Sequence, residues 1–137
     1  MLSIEISQVV EAPQEKVWAL VSAVERHHEF TGYEISEVRQ TNVAEPGLDF
    51  RWNEKGVLLG KRYECACRVF AWEPPEWFCY GTTNLFHVSY ELTPVDQGTE
   101  VAYRVELPQT PEIRRDAITE ICRHTMRNLK RLLESSR

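Results

Sequence analysis

The amino-acid sequence predicts an α+β fold in which a seven-stranded antiparallel sheet curves around one long C-terminal helix. Three observations support this prediction: a strand-like segment at the start, six strand-like segments in the middle, and one long amphipathic segment at the end. Apolar residues alternate along the strands, which indicates a sheet with one buried and one solvated face. The long helix carries an apolar stripe and is therefore expected to cover the buried face.

The N-terminal part of the chain predicts one strand followed by two short helices. Apolar residues alternate through 2–10, as they do in a half-buried strand. Pro13 follows and suits the first turn of a helix whose apolar side includes Trp18. A second short helix or helical turn is predicted at 24–30, with a left-handed stop near Gly32.

Residues 33–107 look entirely β, with turns at clusters of proline, glycine and charged residues. Strands are predicted at 33–41, 48–52, 59–72, 77–82, 86–92 and 101–107. Glu54-Lys55-Gly56 is interpreted as a turn, and so is the proline-rich segment at 73–76. The chain contains no strand–helix–strand units, so doubly wound nucleotide-binding folds are excluded.

A single long helix is predicted at the C-terminus, with Thr110 as its N-cap and Pro111 in its first turn. It is expected to run to about Ser135. Its apolar stripe consists of Ile113, Ala117, Ile118, Ile121, Thr125, Asn128, Leu129 and Leu132. Residues 111–137 carry seven lysines and arginines, including Arg137, against four acids, and we interpret them as a solvated face. A basic strip that meets an acidic partner or lipid headgroups is the alternative.

Composition and charge narrow the range of functions. The 137 residues correspond to one domain, residues 1–137, and 42% hydrophobic with 27% charged residues is typical of a globular protein. A net charge of −5 argues against binding to nucleic acids or anionic membranes. The longest apolar run is five residues, whereas a membrane span needs about 20. The first residues lack the pattern of a signal peptide, so a cytoplasmic protein with no integral membrane contact is expected.

Cys65 and Cys67 point to the same side of their predicted strand and are expected to face the interior. With Cys79 and Cys122 they would supply four sulfur ligands, but one intervening residue on a strand is not the usual spacing of a structural zinc site. Free thiols that act as small apolar fillers are the favoured interpretation. The sequence has no phosphate-binding glycine loop and no hydrolase or zinc-protease motif, so neither a metal nor another cofactor is predicted.

Six short segments follow one another in a characteristic order: Val10-Glu11-Ala12-Pro13, Val17-Trp18, Pro46-Gly47 with Phe50-Arg51-Trp52, Glu73-Pro74-Pro75, Leu92-Thr93-Pro94, and Gly98-Thr99 with Val101. Together they resemble the START/Bet v 1-like superfamily of helix-grip proteins and its polyketide cyclase/dehydrase and lipid-transport-like group. The resemblance covers essentially the whole chain. It implies a seven-stranded sheet that grips the C-terminal helix, with a hydrophobic cavity between them. The superfamily includes lipid carriers, hormone receptors and aromatic cyclases, so the fold does not fix the function.

The residues expected to line this cavity share the predicted inner face of the sheet or the apolar side of a helix. They are Gln8, Trp18, Phe50, Trp52, Tyr63, Cys65, Cys67, Phe78, Tyr80, Phe86, Tyr90, Tyr103, Ile121, Thr125 and Asn128. Tyrosine offers a large apolar ring and one hydroxyl, which suits a small-molecule pocket. The alternative is that the same rings fill the core and leave no cavity. Trp72 falls out of phase with them and is expected on the convex face.

Four residues are candidates for catalysis, because an enzyme in this cavity needs at least one ionisable group that points inward. Arg39 is in phase with Ile35 and could point inward beside Glu37, or the two charged residues could form a surface ion pair. Aromatic cyclases of the superfamily hold their substrate with a pocket arginine, so the resemblance makes an inward-pointing Arg39 a candidate for the same role. His27 and His28 could serve as acid–base groups at the cavity rim. Adjacent residues do not share a helix face, so solvated or locally capping histidines are favoured.

Three functions remain open at this point. The first is the binding of a small hydrophobic or aromatic ligand, such as a lipid or a polyketide-like molecule, between the sheet and the C-terminal helix. The second is a cyclase- or dehydratase-like reaction in the same cavity. The third is a protein-interaction module that uses its outer surface, for which the sequence offers no specific support.

Overall fold

A computed structural model describes residues 1–83 and 85–135 of the chain and confirms the predicted α+β class. Its elements are β1 (Leu2–Val10), α1 (Gln14–Val21), a 3₁₀ helix (Val24–Glu29), β2 (Glu34–Gln40), β3 (Arg51–Leu58), β4 (Lys61–Glu73), β5 (Trp77–Gly81), β6 (His87–Val95), β7 (Gly98–Leu107) and α2 (Arg115–Ser135). Arg137, which belongs to the predicted basic end of the chain, lies outside the described residues. None of the helices within 1–83 and 85–135 is long and apolar enough to cross a membrane.

The seven strands form one antiparallel sheet in the order β1-β7-β6-β5-β4-β3-β2. Strands β2 to β7 pair with their neighbours in the chain, whereas β1 pairs with β7, so that Leu2 lies opposite Leu107. The apolar side of α2 is buried, as predicted, and its buried residues are Ile118, Cys122, Thr125, Met126, Asn128, Leu129 and Leu133. Ala117, Ile121 and Leu132, which belong to the predicted stripe, are only half-buried.

The long helix begins later than the sequence predicts. Thr110 is not its N-cap, because α2 begins five residues later, at Arg115. The Thr110 hydroxyl accepts a hydrogen bond from the backbone N–H of Ile113 (3.1 Å) and closes a separate turn. α2 has 21 residues, which corresponds to a length of about 31 Å. A threonine accepts backbone hydrogen bonds both in isolated turns and at the start of a helix, so the residue type does not separate the two.

The predicted turn at 54–56 is wrong, because β3 continues through it. The chain turns instead at Leu59 and Gly60, whose φ angles are positive at 52° and 79°. A glutamate, a lysine and a glycine in a row resemble a turn, but Trp52 and Glu54 keep the alternation of a strand. Both side chains are buried on the inner face of the sheet.

Two β-bulges change which side chains face the interior. In β2 the pairing register shifts between Ile35 and Glu37, so Ile35 is buried while Glu37 and Arg39 are exposed. A second shift, in β4 just before Trp72, turns this ring inward. Trp72 is half-buried and packs against Trp18, with ring centroids 5.1 Å apart. The prediction that Trp72 lies on the convex face is therefore wrong.

One end of the inner face is filled by a group of rings that we call the aromatic cluster, which consists of Trp18, His27, Phe30, Trp52, Trp72, Phe78 and Tyr80. Phe78 is 0% exposed, and its ring centroid lies 5.5 Å from that of Tyr80 and 5.8 Å from that of Trp72. α1 contributes Trp18 and the 3₁₀ helix contributes His27. At this end the interior is a packed aromatic core.

Gly32 lies at a close contact with α2 and not at the predicted left-handed turn. Its φ angle is not positive. A Cβ atom at this position would overlap the carbonyl oxygen of Ile121 in α2. The Gly32 backbone N–H also donates a hydrogen bond to the Thr125 hydroxyl (2.7 Å), so the segment after the 3₁₀ helix lies directly on α2.

Gly32→Ala is expected to lower the free energy of unfolding by about 1–3 kcal/mol, because the added methyl group forces α2 away from this segment. Gly47→Ala is the matched control, since a Cβ atom at Gly47 meets only the Glu45 carbonyl oxygen, at 3.9 Å. Chemical denaturation of both variants measures the difference. Equal stabilities would show that the contact between Gly32 and α2 is not tight.

Candidate functional site

An apolar cavity of about 400 Å³ lies between the inner face of the sheet and the N-terminal half of α2. Its wall is formed by Tyr33, Glu54, Leu58, Tyr63, Glu64, Cys65, Leu85, Phe86, Val88, Tyr103, Val105, Leu107, Pro108, Thr110, Ile113, Ile118, Ile121 and Cys122. The exposed residues Glu64, Leu85 and Thr110 mark its mouth. Aliphatic and aromatic side chains dominate the wall, so the cavity suits a ligand that is itself mainly apolar.

Five of the predicted lining residues border this cavity, namely Tyr63, Cys65, Phe86, Tyr103 and Ile121. Phe50 borders a separate pocket of about 160 Å³ beside Val24 and Trp72. The remaining predicted residues do not border the large cavity: Gln8, Trp18, Trp52, Cys67, Phe78, Tyr80, Tyr90, Thr125 and Asn128. A shared face of the sheet does not imply a shared cavity here, because the aromatic cluster occupies one end of that face.

Three polar residues that the sequence assigns to the ligand instead connect α2 to the rest of the fold. The Gln8 side-chain amide donates to the Met126 carbonyl oxygen (2.8 Å), and the Asn128 amide donates to the Phe30 carbonyl oxygen (3.2 Å). The Thr125 hydroxyl accepts a hydrogen bond from the Gly32 backbone N–H (2.7 Å) and donates one to the carbonyl oxygen one turn earlier in α2 (2.9 Å). These hydrogen bonds hold α2 against β1 and against the segment that follows the 3₁₀ helix.

The four catalytic candidates do not border the cavity. Glu37, Arg39 and His28 are exposed, and the Glu37 carboxylate lies 3.7 Å from the Lys55 ammonium group. His27 is 0% exposed within the aromatic cluster, and its Nε2 lies 2.8 Å from a carbonyl oxygen of α1. Burial lowers the pKa of His27 to about 4, so the imidazole is neutral near pH 7. His27 is therefore not a solvated histidine; it contacts the carbonyl oxygen of Val21, the last residue of α1, as a locally capping histidine does.

Glu54 is a polar residue of the cavity wall that the sequence interpretation misses. Its side chain is 1% exposed on the inner face of β3. Trp52 donates its indole N–H to one carboxylate oxygen (3.3 Å), and Tyr63 donates its hydroxyl to the other (2.8 Å). Burial raises the pKa of Glu54, and the two hydrogen bonds offset part of that effect. The available signal is the phase of the strand, which places Glu54 on the same side as Trp52.

Gly56 makes room for the Tyr63 ring beside Glu54. Gly56 and Tyr63 lie opposite each other on β3 and β4, and a Cβ atom at Gly56 would lie 2.8 Å from the Tyr63 hydroxyl oxygen. Burial and the negative charge of Glu54 raise the pKa of Tyr63. Tyr63 therefore keeps its proton at neutral pH and donates a hydrogen bond to Glu54, while the lone pairs of its own oxygen can accept a hydrogen bond.

The cysteines are free thiols, and the sulfur atoms of Cys65 and Cys67 lie 3.6 Å apart. The hydrogen bond with Cys65 and burial raise the pKa of Cys67, so this thiol stays protonated and is a poor nucleophile. Among the residues that the structure describes, no group of three or more His, Cys, Asp or Glu side chains is placed to hold a metal ion. The two thiols contribute small, weakly polar surfaces next to Glu54.

Comparison with known proteins identifies a family. The model of the family described as polyketide cyclase / dehydrase and lipid transport matches residues 1–134. None of the curated proteins compared with the chain matches it.

Solved structures share the fold at low sequence identity. A protein from Rhodobacter sphaeroides is 24% identical with a TM-score of 0.67, over 97% of this chain and 92% of that protein. Ara h 8.0201 is 14% identical with a TM-score of 0.69, over 98% of both chains. The di-domain ARO/CYC StfQ from the steffimycin biosynthetic pathway is 10% identical with a TM-score of 0.74, over 98% of this chain and 51% of StfQ. These similarities establish the fold and do not identify a ligand.

The family match and the architecture lead to the same assignment. The matched region contains all seven strands, α1 and nearly all of α2. A seven-stranded sheet around a long C-terminal helix is also the arrangement that the sequence resemblance implies. The chain therefore belongs to the polyketide cyclase / dehydrase and lipid transport family, and its fold is the helix-grip arrangement of a seven-stranded sheet around a long C-terminal helix.

Proposed function

We propose that this chain binds a small hydrophobic or aromatic molecule, lipid-like or polyketide-like, in the cavity between the sheet and α2. The cavity itself is the observation that carries the proposal. Its volume of about 400 Å³ falls within the range of about 300–1,000 Å³ that is typical of small-molecule pockets. A mainly apolar wall with a few polar groups close together, here Glu54 and Tyr63, is also typical of such pockets.

Burial of apolar surface is the main source of affinity in this proposal. Leu58, Val88, Val105 and Ile118 present aliphatic side chains to the cavity. Each ligand methylene group that leaves water for such surroundings contributes about 0.8 kcal/mol. The four catalytic candidates lie outside the cavity, so a reaction there would depend on Glu54, whose carboxylate already accepts hydrogen bonds from Trp52 and Tyr63. Binding without turnover is therefore the favoured function.

Filling the cavity tests this proposal. We expect the wild-type protein to bind 2-naphthol, and we expect Val105→Phe to weaken that binding by about tenfold or more, because the new ring occupies the volume of the ligand. Isothermal titration calorimetry measures both affinities, and a thermal melt shows whether the variant is folded.

Val9→Phe is the matched control for Val105→Phe. Val9 is 37% exposed on β1 and does not border the cavity, so the same substitution there should leave the affinity unchanged. If folded Val105→Phe binds 2-naphthol as tightly as the control does, the ligand does not occupy this cavity.

A further inference from the structure

Building on the proposed function, we infer that the ligand is an apolar molecule that carries a protonated amine, and that Glu54 is the residue that selects it. Three features of the cavity lead to this ligand class. They are the charges of its wall, the surroundings of the Glu54 carboxylate, and the aromatic rings of that wall.

The charged side chains that border the cavity are all acidic within the described part of the chain. They are Glu54 and Glu64, and no lysine, arginine or histidine accompanies them among those residues. Glu64 is exposed at the mouth, whereas Glu54 is 1% exposed in the wall. The ion pairs found within 1–83 and 85–135 all lie elsewhere, so Glu54 has no counter-ion in this part of the chain.

A buried carboxylate without a counter-ion is costly. Trp52 and Tyr63 donate hydrogen bonds to Glu54, but both are neutral, and burial still raises the pKa of the carboxyl group. An ionised carboxylate offers about four acceptor positions, of which these two donors use two. An ammonium group in the cavity would supply the missing positive charge. The attraction does not need direct contact, because apolar surroundings screen it only weakly.

Aromatic rings in the cavity wall, of which Tyr63 is hydrogen-bonded to Glu54, provide a second preference for a cation. Tyr33, Tyr63, Phe86 and Tyr103 all border the cavity, and the ring centroids of Tyr33 and Tyr63 lie 6.1 Å apart. The face of such a ring attracts a cation within about 6 Å of its centroid. A neutral aromatic ligand gains affinity only by stacking on these rings. An apolar amine gains affinity from the attraction of its charge to the rings and also to the Glu54 carboxylate.

The same arrangement disfavours an anionic ligand. The carboxylate of a fatty acid or of an aromatic acid would bring a second negative charge beside Glu54, and the described wall offers no basic residue to offset it. Repulsion of this kind discriminates between ligands of equal size and shape. The expected order of affinity is therefore amine, then alcohol, then carboxylate.

A set of three matched compounds tests this order: 2-(2-naphthyl)ethylamine, 2-(2-naphthyl)ethanol and 2-naphthylacetate. Isothermal titration calorimetry at pH 7 should show that the wild-type protein binds the amine about tenfold more tightly than the alcohol, and the carboxylate most weakly. Glu54→Gln should abolish this preference. The substitution is expected to lower the affinity for the amine about tenfold and to leave the affinity for the alcohol nearly unchanged. Glu5→Gln is the matched control and should keep the wild-type preference, because Glu5 is exposed on β1 and does not border the cavity.

The outcomes separate this inference from the function on which it depends. If the wild-type protein binds the alcohol as tightly as the amine, or if Glu54→Gln keeps the preference, the amine assignment is wrong while the binding function stands. If the wild-type protein binds none of the three compounds, both proposals are wrong. Should Glu54→Gln fail to fold, the wild-type preference is measured at pH 4.5 instead: the raised pKa of Glu54 leaves most of this carboxyl group protonated there, so the preference for the amine must be smaller than at pH 7, and an unchanged preference overturns the inference.

Discussion

Phe78→Ala is expected to lower the free energy of unfolding by about 3–5 kcal/mol. Phe78 is 0% exposed at the centre of the aromatic cluster, where its ring meets those of Trp18, Trp72, His27 and Tyr80 at centroid distances of 5.5–6.2 Å. Removal of the ring exposes four aromatic faces to an empty space. Because these rings come from α1, the 3₁₀ helix and two strands, they cannot all move inward to refill it.

Urea denaturation of Phe78→Ala and Trp77→Ala measures this effect with a control from the next position on β5. Trp77 points to the opposite face and is 38% exposed, so its loss should cost about 1 kcal/mol or less. A loss of stability in Phe78→Ala no greater than that of the control would contradict the central role of this ring.

The second large effect concerns pH. The protein is expected to lose about 3 kcal/mol of stability as the pH falls from about 6.5 to about 4, through His27 alone. Burial disfavours the charged imidazole in the folded state, whereas an unfolded histidine takes up a proton near its ordinary pKa of 6.5. The unfolded state then binds more protons than the folded state throughout this interval, so a lower pH favours unfolding. Below about pH 4 both states are protonated and the loss is complete.

His27→Gln isolates this contribution from the carboxylates that titrate in the same range. Glutamine does not titrate in this interval, and its side-chain amide can still donate to the α1 carbonyl oxygen that His27 Nε2 contacts. The variant should therefore lose less stability than the wild type between pH 7 and pH 4, as measured by urea denaturation at each pH. His28→Gln is the control and should behave as the wild type does, since His28 is exposed. Identical pH profiles for His27→Gln and the wild type would rule out the buried neutral histidine.

The number and order of the elements could be predicted from the sequence because alternation and turn residues are local signals. The same signals identify the inner face of the sheet without showing where that face is open. Trp52, Tyr80 and Tyr103 are all in phase with their apolar neighbours and are all buried, but only Tyr103 borders the cavity. The difference depends on where α1 and the 3₁₀ helix pack against the sheet. Those contacts join segments far apart in the chain, and hydrophobic periodicity carries no information on them.

Individual side chains were harder to predict for two physical reasons. One extra residue in β2 reverses the direction of Glu37 and Arg39, and a strand of seven residues is too short for its pattern to locate that residue. The buried position of Glu54 was missed because a glutamate followed by lysine and glycine suggests a turn. Its hydrogen-bond donors Trp52 and Tyr63 reach it together only after β3 pairs with β4.

The pairing of β1 with β7 has a consequence for synthesis on the ribosome. Leu2 and Leu107 are about a hundred residues apart, so at about 5–20 residues per second β1 waits roughly 5–20 s for its partner strand. The hairpins of β2 to β7 can form one after another during this time. The first strand meanwhile presents unpaired backbone groups and alternating apolar side chains, which is the kind of segment that aggregates. A chaperone that binds the nascent N-terminal segment should therefore increase the yield of folded protein more than one that acts after release.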